Sequence, residues 1–244
     1  MPTTNVTNTL GQSIGWAVAD WSPRNRPARQ VHAGRTCRLE PLEVARHAAD
    51  LFAANAQDKE GRNWTYMGYG PFSDFEAYRA WMTAAVAKDD PLFFAIIDLE
   101  SGKAVGVAAL MRIDPANGVI EVGHIAYSPL LQRKAAATEA MYLLMRHVFD
   151  DLGYRRYEWK CDSLNEASRH AAYRLGFTYE GLFRQATIYK GRNRDTAWFS
   201  IVDREWPGIK VAFEEWLTPE NFDDAGVQKT YLRDLIIQHR SVVR

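Results

Sequence analysis

Residues 123–152 read GHIAYSPLLQRKAAATEAMYLLMRHVFDDL. The first part, ending near Tyr127, is an apolar strand. A basic loop, Gln132-Arg133-Lys134, follows and opens into a helix pattern with Met141, Leu144, Val148 and Leu152 on one face. Gly153 fits its stop. A strand that delivers a positive loop onto a helix N-terminus makes an anion site. The first N–H groups of a helix have no internal partner and carry partial positive charge. Phosphate is the expected guest.

On the C-terminal side, Tyr154–Cys161 is strand again, so the helix is the crossover of a strand–helix–strand unit. On the N-terminal side, PLFFAIIDLESGKAVGVAALMRIDPANGVIEVGHIAY starts at Pro91 and holds three apolar strands. The turn sequences ESGK and DPANG separate them, which makes an antiparallel meander. Arg35–Glu40 is a further strand, stopped at Pro41. Glu43–Ala56 carries Val44, Ala48, Leu51 and Phe52 at helical spacing, and Ser73 with Glu76 reads as the capping box of a second helix. Asn165–Leu175 is a short helix closed by Gly176. Phe177–Asp203 is a hairpin turning at KGRNRD, and the tail is helical around Phe213–Leu217 and Tyr231–Gln238. The expected fold is mixed α/β (α+β), with a mostly antiparallel sheet and helices on both faces. Three segments follow: an arm over residues 1–34, pinned by Trp16 and Trp21; a main domain over 35–206; and a helical extension over 207–244 that covers the core or forms a dimer contact.

Composition narrows the class. The 244 residues are 47% hydrophobic and 25% charged, with 30 basic and 30 acidic side chains. Zero net charge argues against a dedicated nucleic-acid or anionic-membrane binder. Two cysteines, Cys37 and Cys161, fit a reduced compartment and are too few for a cysteine-rich zinc site. No apolar run reaches spanning length, and the polar N-terminus lacks the build of a secretory signal, so cytoplasm is the expectation, with no metal. A Rossmann-type nucleotide binder is disfavoured, because no G-x-G-x-x-G follows a strand.

The segments IEVGHIAYSP, LQRKAAATEA and NEASRHAAYRLGFTYEG, with the tail of the final hairpin, resemble the GNAT superfamily of acyl-CoA-dependent N-acetyltransferases. The branch most similar is that of the ribosomal-protein N-terminal acetyltransferases. The resemblance implies acetyl-CoA as co-substrate and a primary amine acceptor, either a protein N-terminus or a small molecule. It also implies that the basic loop and helix start hold the pyrophosphate of coenzyme A. The residues so implied are Ile125, Ala126, Tyr127, Gln132, Arg133, Lys134, Ala135, Ala136, Ala137, Thr138 and Asn165. The family loop usually has glycine where Arg133 and Ala135 stand here, which matters because glycine permits positive φ. A non-catalytic acyl-CoA-binding module on the same fold is the alternative of another class.

Amine acetylation needs a base for the acceptor, donors for the oxyanion and an acid for the leaving thiolate. Glu121 is the base by resemblance, His124 has the better intrinsic pKa, and free solvent water is the remaining option. Strand alternation sends these two to opposite faces unless Gly123 forms a bulge. Either also reads as structural: a paired carboxylate, a hydrogen-bonded core histidine. By resemblance Ser168 protonates the thiolate, and a backbone N–H near Ile125 or Ala126 faces the oxyanion. Ser163 and Glu166 form a second capping-box pattern that frees Asn165 for ligand. Trp64, Thr65 and Tyr66 make an acceptor wall or core. In the hairpin, Lys190, Arg192 and Arg194 attract an acidic substrate or coenzyme A phosphates, and Asp195 pairs with an amine; a solvated turn is the bland alternative.

Overall fold

Alternation of side chains along the central strands divides the molecule into two cores. The computed structural model describes residues 6–242; the outermost five residues of the expected arm and two of the extension lie outside the described residues. In chain order the strands and helices are β1 (Val6–Thr7), β2 (Ser13–Ile14), β3 (His32–Ala33), β4 (Cys37–Pro41), α1 (Val44–Asn55) and α2 (Phe75–Val86). Then come β5 (Leu92–Asp98), β6 (Ala104–Asp114), β7 (Val119–Tyr127), α3 (Ala135–Arg146), β8 (Arg156–Asp162) and α4 (Glu166–Arg174). The chain closes with β9 (Thr178–Tyr189), β10 (Arg192–Val202), α5 (Trp206–Trp216) and α6 (Leu232–Val242). Among the described residues, eight strands form one sheet in the order β3-β4-β5-β6-β7-β8-β10-β9, and only β7 and β8 are parallel.

In β5, Leu92, Phe94 and Ile96 point to one core, and Phe93, Ala95 and Ile97 to the other. The first core is closed by α3, α5 and α6, the second by α1 and α2. The C-terminal extension therefore covers the main core: Ile209, Phe213, Leu232 and Leu235 are buried in it. Glu139, within the ATEA run, is buried and ties this core to the start of the sheet. It accepts N–H groups of Arg35, Thr36 and Cys37 and the Thr36 hydroxyl. Burial raises its pKa, but those donors outweigh it and hold the carboxyl below its ordinary value.

Three local expectations are corrected. Asp74, not Ser73, caps α2: its Oδ1 accepts Ala77 N–H at 2.9 Å, and the Ser73 hydroxyl donates to Asp74. Asn165, not Ser163, caps α4, its Oδ1 accepting Ser168 N–H at 3.1 Å. In each case a short polar side chain nearer the helix, by one residue at Asp74 and two at Asn165, takes the N-cap position. Of the two arm tryptophans only Trp21 pins the chain. Its indole donates to Ala116 O at 2.8 Å and packs so closely on Gly118 that a side chain there has no room. Trp16 is half exposed.

Candidate active site

β7 and β8 pair only from Val119–Val122 to Arg156–Trp159. Beyond that point β7 keeps its bonds to β6 and β8 keeps its bonds to β10, so the strands part. A cavity of about 720 Å³ fills the opening, lined by Gly123, His124 and Ile125 on one side and Trp159–Asp162 on the other. Asn165 and Ser168 of α4, Tyr66–Tyr69 of the loop after α1, and Phe183, Thr187, Arg194 and Trp198 of the final hairpin complete it.

The parting begins at a bulge. His124 and Ile125 together oppose Ala108, between the pairs Ala109↔Gly123 and Val107↔Ala126. His124, not Gly123, takes the left-handed conformation, at φ +49°. Such a backbone is uncommon for a residue with a side chain, and where it occurs it re-aims that side chain. It brings His124 to the cavity that Glu121 also lines. The imidazole stacks on Tyr69 (5.6 Å, 19°) and lies 4.9 Å from Phe93. Nδ1 is 3.1 Å from the Tyr69 hydroxyl, and Nε2 has no hydrogen bond among the described residues. Burial, then the Arg112 charge, push its pKa below the ordinary histidine value, so the ring is neutral at neutral pH.

Glu121 is differently placed. It is only 4% exposed, and its Oε2 receives both Arg112 Nη1 and Lys160 Nζ at 2.8 Å. Lys160 bridges on to Glu158 at 2.6 Å and lies 3.8 Å from the Trp198 ring centre. Two cations converge on Oε2, so the carboxylate is held as an ion-pair anchor.

Ser168 lines the cavity; its Oγ accepts the Trp159 indole N–H at 3.0 Å, which leaves its own proton to donate, with the buried Cys161 thiol as its neighbour within the protein. Asn165 keeps its amide Nδ2 for a ligand, since only Oδ1 serves the helix.

The basic loop keeps the expected shape without the expected glycine. Arg133 has φ +63° with its side chain exposed, and Ala135 is already the first residue of α3. Leu131, fully buried against Gly106, anchors the loop from below. The N–H groups of Arg133, Ala135 and Ala136 make no hydrogen bond among the described residues. They form an open cradle at the helix N-terminus, with Lys134 exposed beside it. Ala136, Ala137 and Thr138 are buried in the first turn and offer backbone only. Gln132 donates to Tyr127 O and to Asn63 Oδ1, both at 2.9 Å, so it joins this loop to the loop after α1. The residues present thus fit a pyrophosphate at the helix and a thioester arm in the parted strands, as coenzyme A requires.

Of the four expected acceptor residues, Tyr66 and Arg194 line the cavity. Trp64 does not: it is buried against Phe72 and Gly70 in the second core. Asp195 does not either. Its Oδ1 accepts Gln185 N–H at 2.7 Å and Asn193 Nδ2 at 3.0 Å, fixing a bulge in β9. Lys190 and Arg192 are spent on the carbonyls of Trp64 and Thr65, which tie the hairpin tip to the loop after α1. Arg194 bonds only the Thr196 hydroxyl, at 3.1 Å, and has no carboxylate partner among the described residues. Tyr69 escaped the sequence reading. It lies in an aromatic loop without periodicity, and only the fold shows which ring meets the bulge.

A family model described as "Acetyltransferase (GNAT) domain" matches residues 37–178. The chain belongs to the GNAT acetyltransferase family. A solved GCN5-related N-acetyltransferase from Brucella melitensis is 51% identical, covers 90% of this chain and 100% of its own, and superposes with a TM-score of 0.89. "Uncharacterized N-acetyltransferase p20" of Bacillus licheniformis is 31% identical over 180 residues, 71% of this chain and 97% of that protein. "Putative ribosomal N-acetyltransferase YdaF" of Bacillus subtilis (strain 168) is 28% identical over 178 residues, 70% of this chain and 92% of that protein. This acetyltransferase is an enzyme with acetyl-CoA as co-substrate. Among the described residues there is no group of side chains suited to a metal, and no helix is long and apolar enough to cross a membrane.

Proposed function

We propose that this acetyltransferase moves the acetyl group of acetyl-CoA directly to a primary amine, with His124 as general base and Ser168 as the acid that protonates the leaving thiolate. The observation that carries the reading is the bulge at His124. It holds a neutral imidazole, backed by the Tyr69 hydroxyl at 3.1 Å, inside the cavity that Ser168 also lines. An acceptor ammonium has no lone pair until it loses a proton, and a neutral imidazole is the side chain suited to take it near neutrality. Glu121 serves as the anchor of Arg112 and Lys160. Peptide N–H groups of Ile125 and Ala126, on the strand that has lost β8, are the donors for the developing oxyanion. The cradle from Arg133 to Ala136 takes the pyrophosphate, with Lys134 adding charge and Asn165 contributing its amide.

For the acceptor, the name of YdaF brings forward a ribosomal-protein N-terminus, and small amines share the same chemistry. Arg194 is the cavity cation without an acid, so an acceptor that carries a carboxylate or phosphate beside its amine suits the site. The test is thiol release from acetyl-CoA with a panel of peptides and small amines, paired with mass detection of the acetylated product. Release coupled to an acetylated amine supports the reading. Release with product acetate alone, whatever the amine, contradicts it.

A further inference from the structure

The hairpin of β1 and β2 stands apart from the body. Among the described residues, every hydrogen bond of residues 6–19 stays inside the hairpin, such as Asn8 N–H to Gln12 O at 3.0 Å. A two-stranded hairpin alone is at best marginally stable in water. Its apolar side chains face solvent: Leu10 is 80% exposed, Trp16 50% and Val6 47%. Residues 1–19 contain no Asp, Glu, Lys, Arg or His. A solvated arm ordinarily carries charge, and this one begins its charge at Asp20, next to the Trp21 anchor.

The same chain has a second surface of the same character. β9 is the last strand of the sheet, is exposed along nearly its whole length, and leaves Ile188 80%, Phe183 53% and Leu182 44% exposed. An apolar edge strand of 12 residues is a standing invitation to association.

We infer that two copies of this chain form a two-fold dimer in which the arm of each packs on the β9 edge of the other. A second copy is the occupant because one two-fold operation covers both surfaces of both molecules, as an isologous contact requires. The area agrees. Five arm side chains and four on β9 are each 42–80% exposed. At about half of the roughly 150–250 Å² of an aromatic side chain, an upper figure for the aliphatic ones, they offer at most on the order of 700–1,100 Å² per copy, a range that includes the roughly 800 Å² per partner of a stable interface. The absence of charge on the arm removes the desolvation cost that a charged arm would bring to an apolar strand. β9 also supplies Phe183 and Thr187 to the acceptor cavity, so the arriving arm lies along the outer wall of the partner's site.

Sedimentation equilibrium of the full chain at micromolar concentration is expected to give twice the 27.8 kDa of one copy. Leu10→Asp with Trp16→Asp on the arm, and Ile188→Glu on the edge, should each weaken dimerisation roughly tenfold or more, with unchanged far-ultraviolet dichroism. Mixing the two variants should restore association in part, because the mixed dimer regains one intact arm-to-edge contact. A monomeric wild type, a dimer that survives either variant at full strength, or a mixture no tighter than its components overturns the proposal. Survival in the edge variant alone would assign an arm-to-arm contact instead.

Discussion

The Tyr69 hydroxyl lies 3.1 Å from Nδ1 of His124, and the two rings stack at 5.6 Å. Burial keeps the phenol protonated far above neutral pH. The phenol oxygen can accept Nδ1–H, and that tautomer leaves the lone pair on Nε2, the nitrogen with no partner among the described residues. In that tautomer Tyr69 leaves Nε2 as the basic nitrogen and steadies the imidazolium once the proton has moved. Tyr69→Phe keeps the stack and deletes only the hydroxyl. Its kcat is expected to fall roughly tenfold, about 1.4 kcal/mol, with the KM for acetyl-CoA unchanged. Steady-state kinetics with saturating acceptor will show it.

The charge beside His124 sets the acid limb of the pH–rate profile. Arg112 helps to hold the imidazole pKa down, after burial itself. A base with a lowered pKa stays active until the pH falls through that lowered value. Arg112→Gln removes a cation, so the imidazolium becomes easier to form, the pKa rises, and activity is lost at higher pH than in the wild type. A profile of kcat/KM against pH in which the acid limb stays in place would assign that limb to another group.

How far the sequence carried this reading differs by feature. The meander, the crossover and the helix positions followed from alternation and turn chemistry, which are local. The basic loop that opens onto α3 was legible for the same reason. The parting of β7 and β8 was not, since it depends on where a parallel register ends, at Val122 opposite Trp159. Asp74 and Asn165 took caps expected of Ser73 and Ser163 because several short polar residues compete within one turn. Trp64 and Tyr69 stand five positions apart in one aromatic loop, and only tertiary packing sends the first to the core and the second to the site. Sequence alone offers Lys190 and Arg192 either an anionic ligand or a solvated turn; their partners are carbonyls more than a hundred residues away, at Trp64 and Thr65.

Arg194 makes acceptor charge testable. The guanidinium reaches the cavity and bonds only the Thr196 hydroxyl. Arg194→Gln is expected to raise KM roughly ten- to a hundredfold for acceptors that bear a carboxylate or phosphate, as a lost charge-assisted contact does. Neutral amines and acetyl-CoA should keep their KM. Equal effects on neutral and anionic acceptors would show that Arg194 only shapes the wall.

Stability carries its own pH signature, far from the site. His32 is 6% exposed beside His147, with ring centres 4.4 Å apart, and its Nε2 is buried without a partner. Burial, then the charge of His147, lower its pKa to about 4, while Asp151 acts the other way. A depressed folded value means that the unfolded chain takes up the proton first. His32 therefore contributes stability above the unfolded value of about 6.5, and loses it as pH falls to about 4, a change of about 3 kcal/mol. His32→Leu should flatten this part of the stability curve, measured by urea unfolding near neutrality and near the lower value. An unaltered slope would place the proton uptake elsewhere.

The central claim is that His124, on its bulge in the parted strands, takes the proton from the acceptor amine. The direct measurement is thiol release by His124→Gln across pH, together with calorimetric acetyl-CoA affinity for the same protein. Acetyl-CoA binding should match the wild type while kcat/KM drops about a hundredfold or more and its acid limb disappears. A variant that turns over at the wild-type rate with the same acid limb would contradict the account.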